Sequence, residues 1–441
     1  MQTRNMIRTA VCAVATMAML TGGSVLPALA ADEATYIISV PDGQVSPLVT
    51  DLAQLGETPD HVYTRAIDGV AVSLSAAEVS MIQSENPEAQ IVPDSIVTMT
   101  ATRSGATWGL SALDQSTAPA DTSYTYPDSA GTGVDVFVID TGVENRPADF
   151  GGTLDTARAR DFTGLGTWVD CNGHGTHVAG IIAAQSDSVG VTGIAPNVKI
   201  QPIRALGVDG GNSSDLIAAL RWAAGLPVPG VSANPTPAKV VNLSMGTDSY
   251  TPCRLRGQDL GATEVALADL KAAGVTVISA AGNFDVPASE SYPGNCYPTI
   301  NVGATAFSGD RASYSNYSVP DSKGQMVGVD ISAPGGDSKF PGDSPAESKG
   351  KIVSTWNDGK TIPGSPTYWG EEGTSMAAPV VTGVVALIYS IKPNITFDDV
   401  WKVVSETATK FPPGSTCETK NICGIGIVNA GAAVAAAAAL P

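Results

Sequence analysis

Short apolar runs alternating with longer amphipathic stretches constrain this chain more than any other feature. Val134–Ile139 is apolar except for Asp135, and Lys199–Ala205, Val240–Leu243 and Val275–Ala280 are further runs of buried-strand type. A strand covered on one face alternates apolar with polar residues. A strand covered on both faces reads as a near-continuous apolar run, as in parallel sheets. Between these runs lie helical patterns over Gly175–Gln185, Asp215–Ala224 and Thr263–Ala273, and a longer one over Ser375–Ile391. The alternation predicts an α/β fold: a doubly wound, mostly parallel sheet with helices on both faces. Sites in such sheets lie beyond the C-terminal ends of the strands. Pro227–Pro237 and Asp337–Pro366, rich in Gly, Pro and Ser, read as surface loops.

The N-terminal part is organised differently. Arg4 and Arg8 precede an apolar stretch from Thr9 to Leu20, and Ala28-Leu29-Ala30 is an A-x-A cleavage signature, so residues 1–30 read as a signal peptide. The stretch is too short and too punctuated to favour a membrane anchor, and no other segment is expected to span a membrane. Residues 31–104 then give a strand at Tyr36–Val40, a helix at Ser46–Leu55, an alternating hairpin over His61–Leu74, a helix at Ala76–Gln83 and a strand at Gln90–Met99. The order β-α-β-β-α-β predicts a small ferredoxin-like α+β unit ahead of the main domain.

Charge and cysteines narrow the function. The net charge of −19 over 441 residues argues against a nucleic-acid binder, which needs a basic face. It suits a soluble exported protein. Of six cysteines, Cys12 leaves with the signal. An odd five remain, which implies pairs plus one free thiol, and arithmetic alone does not give the pairing.

Three distant segments carry the chemistry: Asp140-Thr141-Gly142, His174-Gly175-Thr176-His177 and Gly373-Thr374-Ser375-Met376-Ala377. They supply a carboxylate, an imidazole and a hydroxyl, the set that turns a weak alcohol into a nucleophile. Only His61, His174 and His177 occur in the chain, and His61 lies in the N-terminal unit, so the base is His174 or His177. A serine opening a helix also profits from the helix N-terminus, where developing negative charge is favoured.

The order Asp…His…Ser in these glycine-rich contexts resembles the subtilisin-like serine proteases, the subtilases. The resemblance implies that Asp140, His174 and Ser375 form the triad, that Asn283 in Ala280-Ala281-Gly282-Asn283 stabilises the oxyanion, and that His177 is structural. Residues 31–104 resemble an inhibitory propeptide that occupies the cleft until it is cut off near Thr102–Ala106, leaving 105–441 as the catalytic domain. Gly210-Gly211-Asn212 and Ser244-Met245-Gly246 resemble the segments that clamp a peptide backbone. The specificity pocket is expected between Ser244–Gly246 and Ala280–Gly282, with apolar walls and Glu290 at its edge.

The same resemblance implies a structural Ca²⁺ held by Asp149 and by Gln185, Asp187, Val189 and Val191. It also implies disulfides Cys253–Cys296 and Cys417–Cys423, with Cys171 left free. The expectation is a secreted, extracellular, monomeric endopeptidase acting on proteins or peptides, inhibited by its own propeptide and not membrane-bound once the signal is removed. Two rivals remain: a non-catalytic binder on the same fold, and an esterase or acyltransferase. The second is weakened because the serine segment departs from G-x-S-x-G at Ala377.

Overall fold

The computed structural model describes residues 34–440 apart from 66, 94–99, 105–106, 115–122, 188–189, 248–252, 254–261, 343–347 and 360–362. The expected signal peptide lies outside the described residues. The chain forms two compact units, one ending at Ser95 and one spanning Ile96–Leu440.

The first unit is the ferredoxin-like fold that its element order predicts. Its antiparallel sheet runs His61–Arg65, Ile67–Leu74, Ala34–Val40, Gln90–Pro93 from edge to edge. Helices Val45–Leu55 and Ala76–Glu85 bury Leu48, Leu52 and Ile82 against Ile38, Val70, Val72 and Leu74. The second helix begins with a capping box: Ser75 accepts from the Glu78 N–H and Glu78 accepts from the Ser75 N–H. The last strand ends at Pro93, and the rest of the expected strand to Met99 falls outside the described residues.

In the second unit a seven-stranded sheet runs Ile331–Pro334, Ile300–Thr305, Thr276–Ala280, Val240–Leu243, Asp135–Asp140, Lys199–Arg204, Arg160–Asp161, all parallel. Successive side chains point to opposite faces, and the two cores follow that period. Val136 and Val138 enter one core with helices His174–Ala183 and Thr374–Ile391. Phe137 and Ile139 enter the other with helices Ser213–Ala223 and Ala262–Ala272. From Asp135–Asp140 the chain builds outward on one side, then crosses to Val240–Leu243 on the other. That reversal puts a crevice at the C-terminal end of Asp135–Asp140.

Several boundaries move. Asp140 ends its strand rather than following it, and His174 is the first helical residue of a helix expected to begin at Gly175. Asp337–Pro366 is not wholly loop: Ile352–Asn357 pairs antiparallel with Pro366–Glu371. Its Gly/Pro/Ser surroundings masked a strand too short to show a period. Thr374–Ile391 is long and apolar enough to cross a membrane, contrary to the expectation, yet it is 83% buried as the central helix of the core. Thr100–Ser104 pairs antiparallel with Ser123–Pro127 inside the second unit, so part of the expected cleavage stretch belongs to a strand of that unit; 105–106 lie outside the described residues.

Candidate active site

Asp140 is fully buried, and its Oδ1 accepts from the Thr141 N–H at 2.7 Å and meets His174 Nδ1 at 2.8 Å. A buried carboxylate against Nδ1 fixes the proton there and leaves Nε2 as the basic nitrogen. Backbone demands explain the surrounding glycines. Gly173 caps the helix at φ 104°, and a Cβ there would lie 2.7 Å from the Trp356 ring. A Cβ at Gly175 would collide with the Gly142 carbonyl and press on Asp140. The imidazole therefore stands at the N-terminus of its helix with side-chain-free backbone on either side.

The residue behind this arrangement is Asp170, which the sequence reading did not single out. It is fully buried and accepts five hydrogen bonds. Oδ1 takes the Thr141 hydroxyl and the Asn172 and Gly173 N–H groups; Oδ2 takes the N–H and hydroxyl of Thr176. The Thr141 hydroxyl in turn accepts from the Gly175 N–H. One carboxylate thus ties the segment after Asp140 to the first turn of the His174 helix and satisfies its orphan donors. An aspartate just before a helix start, with a threonine inside the first turn, was the available signal.

The two histidines of this turn are driven apart. Burial acts against a charged His174, but the charge and hydrogen bond of Asp140, with Asp170 and Glu371 behind, outweigh it and hold the pKa above 6.5. For His177 burial comes first and the nearby His174 adds to it, so its pKa falls to about 3. Its Nε2–H donates to the Trp369 carbonyl and its ring meets Trp356 edge-on. His177 is a neutral structural side chain.

Ser375 lies in the first turn of Thr374–Ile391. Its hydroxyl donates to the Ser244 carbonyl at 3.2 Å rather than to His174, and the Ser244 hydroxyl donates to the Ser375 carbonyl at 2.8 Å. Pro379 explains the second bond. It lacks the N–H that would reach the carbonyl four residues back, and Ser244 fills that place. Hydrogen bonds between nucleophile and base are often unformed without substrate. Asn283 is held by its acceptor: Oδ1 takes both the N–H and the hydroxyl of Thr374 at 2.8 Å. Its amide N–H donors are left for another partner.

A cleft of about 970 Å³ opens beside these groups; Asp140, Ser375 and Asn283 are not part of its lining. His174 lines it, together with Gly210, Gly211, Asn212, Ser244, Met245 and Gly246, all six expected backbone-clamp residues. Leu216, Phe284, Tyr292 and Pro293 add apolar wall. Glu290, in the short turn Ala288–Glu290, and the expected wall Ala280–Gly282 are not part of its lining. The pairs Cys253–Cys296 and Cys417–Cys423 are bonded, and Cys171 is free and buried, its sulfur 3.3 Å from an Arg204 N–H.

Residues 131–426 match the family model described as the subtilase family. The chain belongs to the subtilase family of serine proteinases. It is 36% identical over 337 residues to an extracellular protease of Xanthomonas campestris, covering 70% of this chain and 52% of that protein. The chain thus spans about half the length of that relative. It is 34% identical to an extracellular serine proteinase of a Thermus species, covering 87% of this chain and 82% of that one. Among solved structures, a protease from Pseudoalteromonas arctica is similar at a TM-score of 0.60 and 35% identity, over 70% of this chain and 93% of the other. A cold-adapted subtilisin-like serine proteinase is similar at a TM-score of 0.55 and 31% identity, over 74% and 97%.

The carboxylate expected to complete the calcium site already has partners. Both Asp149 oxygens are engaged: Oδ2 by Arg146 Nε and Oδ1 by the Tyr368 hydroxyl, each at 2.8 Å. Gln185 donates its N–H to the Asp149 carbonyl and accepts from the Asp187 N–H. Asp187 is exposed, Val191 is half-buried, and Val189 lies outside the described residues. Among the described residues no cluster of three or more His, Cys, Asp or Glu could hold a metal ion.

Proposed function

We propose that this chain is a secreted serine endopeptidase made as a self-processing zymogen. Residues 1–30 serve as signal peptide, 31–104 as inhibitory propeptide and 105–441 as the catalytic domain. The observation that carries the reading is the Asp140–His174 hydrogen bond at the wall of a cleft whose other wall, Ser244, is bonded to Ser375. Ser375 Oγ attacks the peptide carbonyl while His174 Nε2 takes its proton. Asp140 keeps the ring in the Nδ1–H tautomer and stabilises the imidazolium. The oxyanion accepts from the Asn283 amide and the Ser375 N–H. His174 then protonates the leaving amine, and water hydrolyses the acyl-enzyme by the same steps in reverse order.

Loss of the Asn283 donor by Asn283→Ala is expected to lower kcat by about 10²–10³-fold with KM nearly unchanged; an equal loss in both counts against the role. The cleft's apolar wall supports a broad specificity favouring large apolar residues before the cut bond. A peptide library with a strict Lys/Arg preference overturns that.

The deciding experiment compares the N-termini of secreted wild type and Ser375→Ala by mass spectrometry. A wild type trimmed within residues 95–106 and a mutant retaining the propeptide support self-cleavage by Ser375. Equal trimming assigns maturation to another protease, and no trimming removes the propeptide reading. The exact mass also reports whether the strand Thr100–Ser104 stays with the mature enzyme.

A further inference from the structure

The place where the resemblance puts a calcium ion is already filled by side chains. Arg146 and Asp149 form an ion pair whose side chains are only 4% and 1% exposed. The Arg146 guanidinium lies 5.1 Å from the centre of the Tyr368 ring and donates through Nη1 to the Trp356 carbonyl at 2.5 Å. Tyr368 reaches from the strand Pro366–Glu371 to hydrogen-bond Asp149 on one side. On the other side it covers the expected metal loop: Gly190 has a φ of 59°, and a Cβ there would collide with the Tyr368 hydroxyl. Glycine suits this point both for its positive φ and for the room the tyrosine takes. A calcium ion needs six to eight oxygens with open lone pairs. Here the carboxylate is spent on a guanidinium, whose fixed positive charge already compensates it.

We propose that the Arg146 guanidinium and the Tyr368 hydroxyl replace calcium at Asp149 and tie it to the strands Ile352–Asn357 and Pro366–Glu371 without a metal. Asp149 then acts as the centre of a cation–carboxylate–phenol cluster in which the ion pair is buried and the phenol half-buried. The inference does not depend on the catalytic reading and survives if that reading fails.

The test uses the secreted protein, treated with a covalent serine-directed inhibitor wherever it shows activity, so that self-digestion does not intervene. Calcium binding is measured by titration calorimetry, and melting is followed in excess chelator and in calcium. Asp149→Asn is expected to bind as many calcium ions as wild type; one ion fewer overturns the proposal. Tyr368→Phe removes a single oxygen and is expected to lower Tm by about 2–4 °C, equally with chelator and with calcium. An unchanged Tm in chelator, or a loss seen only in calcium, overturns it. If Asp149→Asn does not fold, Tyr368→Phe decides alone, with its calcium stoichiometry expected to equal that of wild type.

Discussion

The two ends of the helix His174–Ala183 are built by opposite strategies. At its N-terminal end the supports fix backbone position: Gly173 for its backbone angle, Gly175 for close approach, Asp170 for five hydrogen bonds, and Thr141, 34 positions before Gly175, as the bridge. Just beyond its C-terminal end Gln185 donates to the Asp149 carbonyl and Gly190 lies against Tyr368, and the Asp149 carboxylate is compensated by Arg146. The first end must place a nitrogen to within a fraction of an ångström. The second needs only compensation of one buried carboxylate, and different cations can supply that. Precision forces residue identity; charge compensation does not.

Substitutions at the first end should therefore alter catalysis, and those near the second should alter stability alone. His174→Ala is expected to cut kcat by about 10⁶-fold, the size of effect found for the corresponding groups of subtilisin. A loss confined to Tm would break the comparison at once. Asp170→Asn puts a donor where Thr176 offers donors, and the resulting shift of the ring is expected to lower kcat by about 10²-fold. It also removes a negative charge that raises the His174 pKa, so the acid limb of kcat/KM should move to lower pH. A purely structural role would reduce yield without moving the limb.

His177 sharpens the contrast within one turn. Its folded pKa of about 3 lies below the ordinary 6.5, so the folded state refuses a proton that the unfolded chain accepts. Its contribution is complete above pH 6.5 and is lost as pH falls toward 3, at about 1.4 kcal/mol per pH unit. Unfolding free energies between pH 7 and 4 should fall less steeply for His177→Gln than for wild type; parallel curves would refute the assignment. At the far end, Tyr368→Phe is expected to leave kcat/KM and its pH profile unchanged. A changed profile would mean that the hairpin, through Glu371, reaches His174.

What was readable in the sequence follows the same division. The central strand was legible because burial on both faces left Val134, Val136, Phe137, Val138 and Ile139 in one run. The ferredoxin-like unit was legible because each of its elements has its own period. The strand Ile352–Asn357 was not, since six residues among Gly, Pro and Ser carry too little pattern. Gly210, Gly211, Asn212, Ser244, Met245 and Gly246 were named from resemblance, and all line the cleft. Glu290 was named from position alone and stands outside that lining.

The sequence by itself determined the parallel α/β core, the ferredoxin-like unit, and the three segments that carry acid, imidazole and hydroxyl, because burial period and backbone geometry are written residue by residue. Only the tertiary structure decided that Asp170 anchors the His174 turn, that Ser244 takes the carbonyl freed by Pro379, and that Asp149 faces Arg146 and Tyr368. The last of these joins groups 219 positions apart. Local pattern carries no record of which distant side chain will fill a buried carboxylate's lone pairs; that is settled when the hairpin packs against the loop.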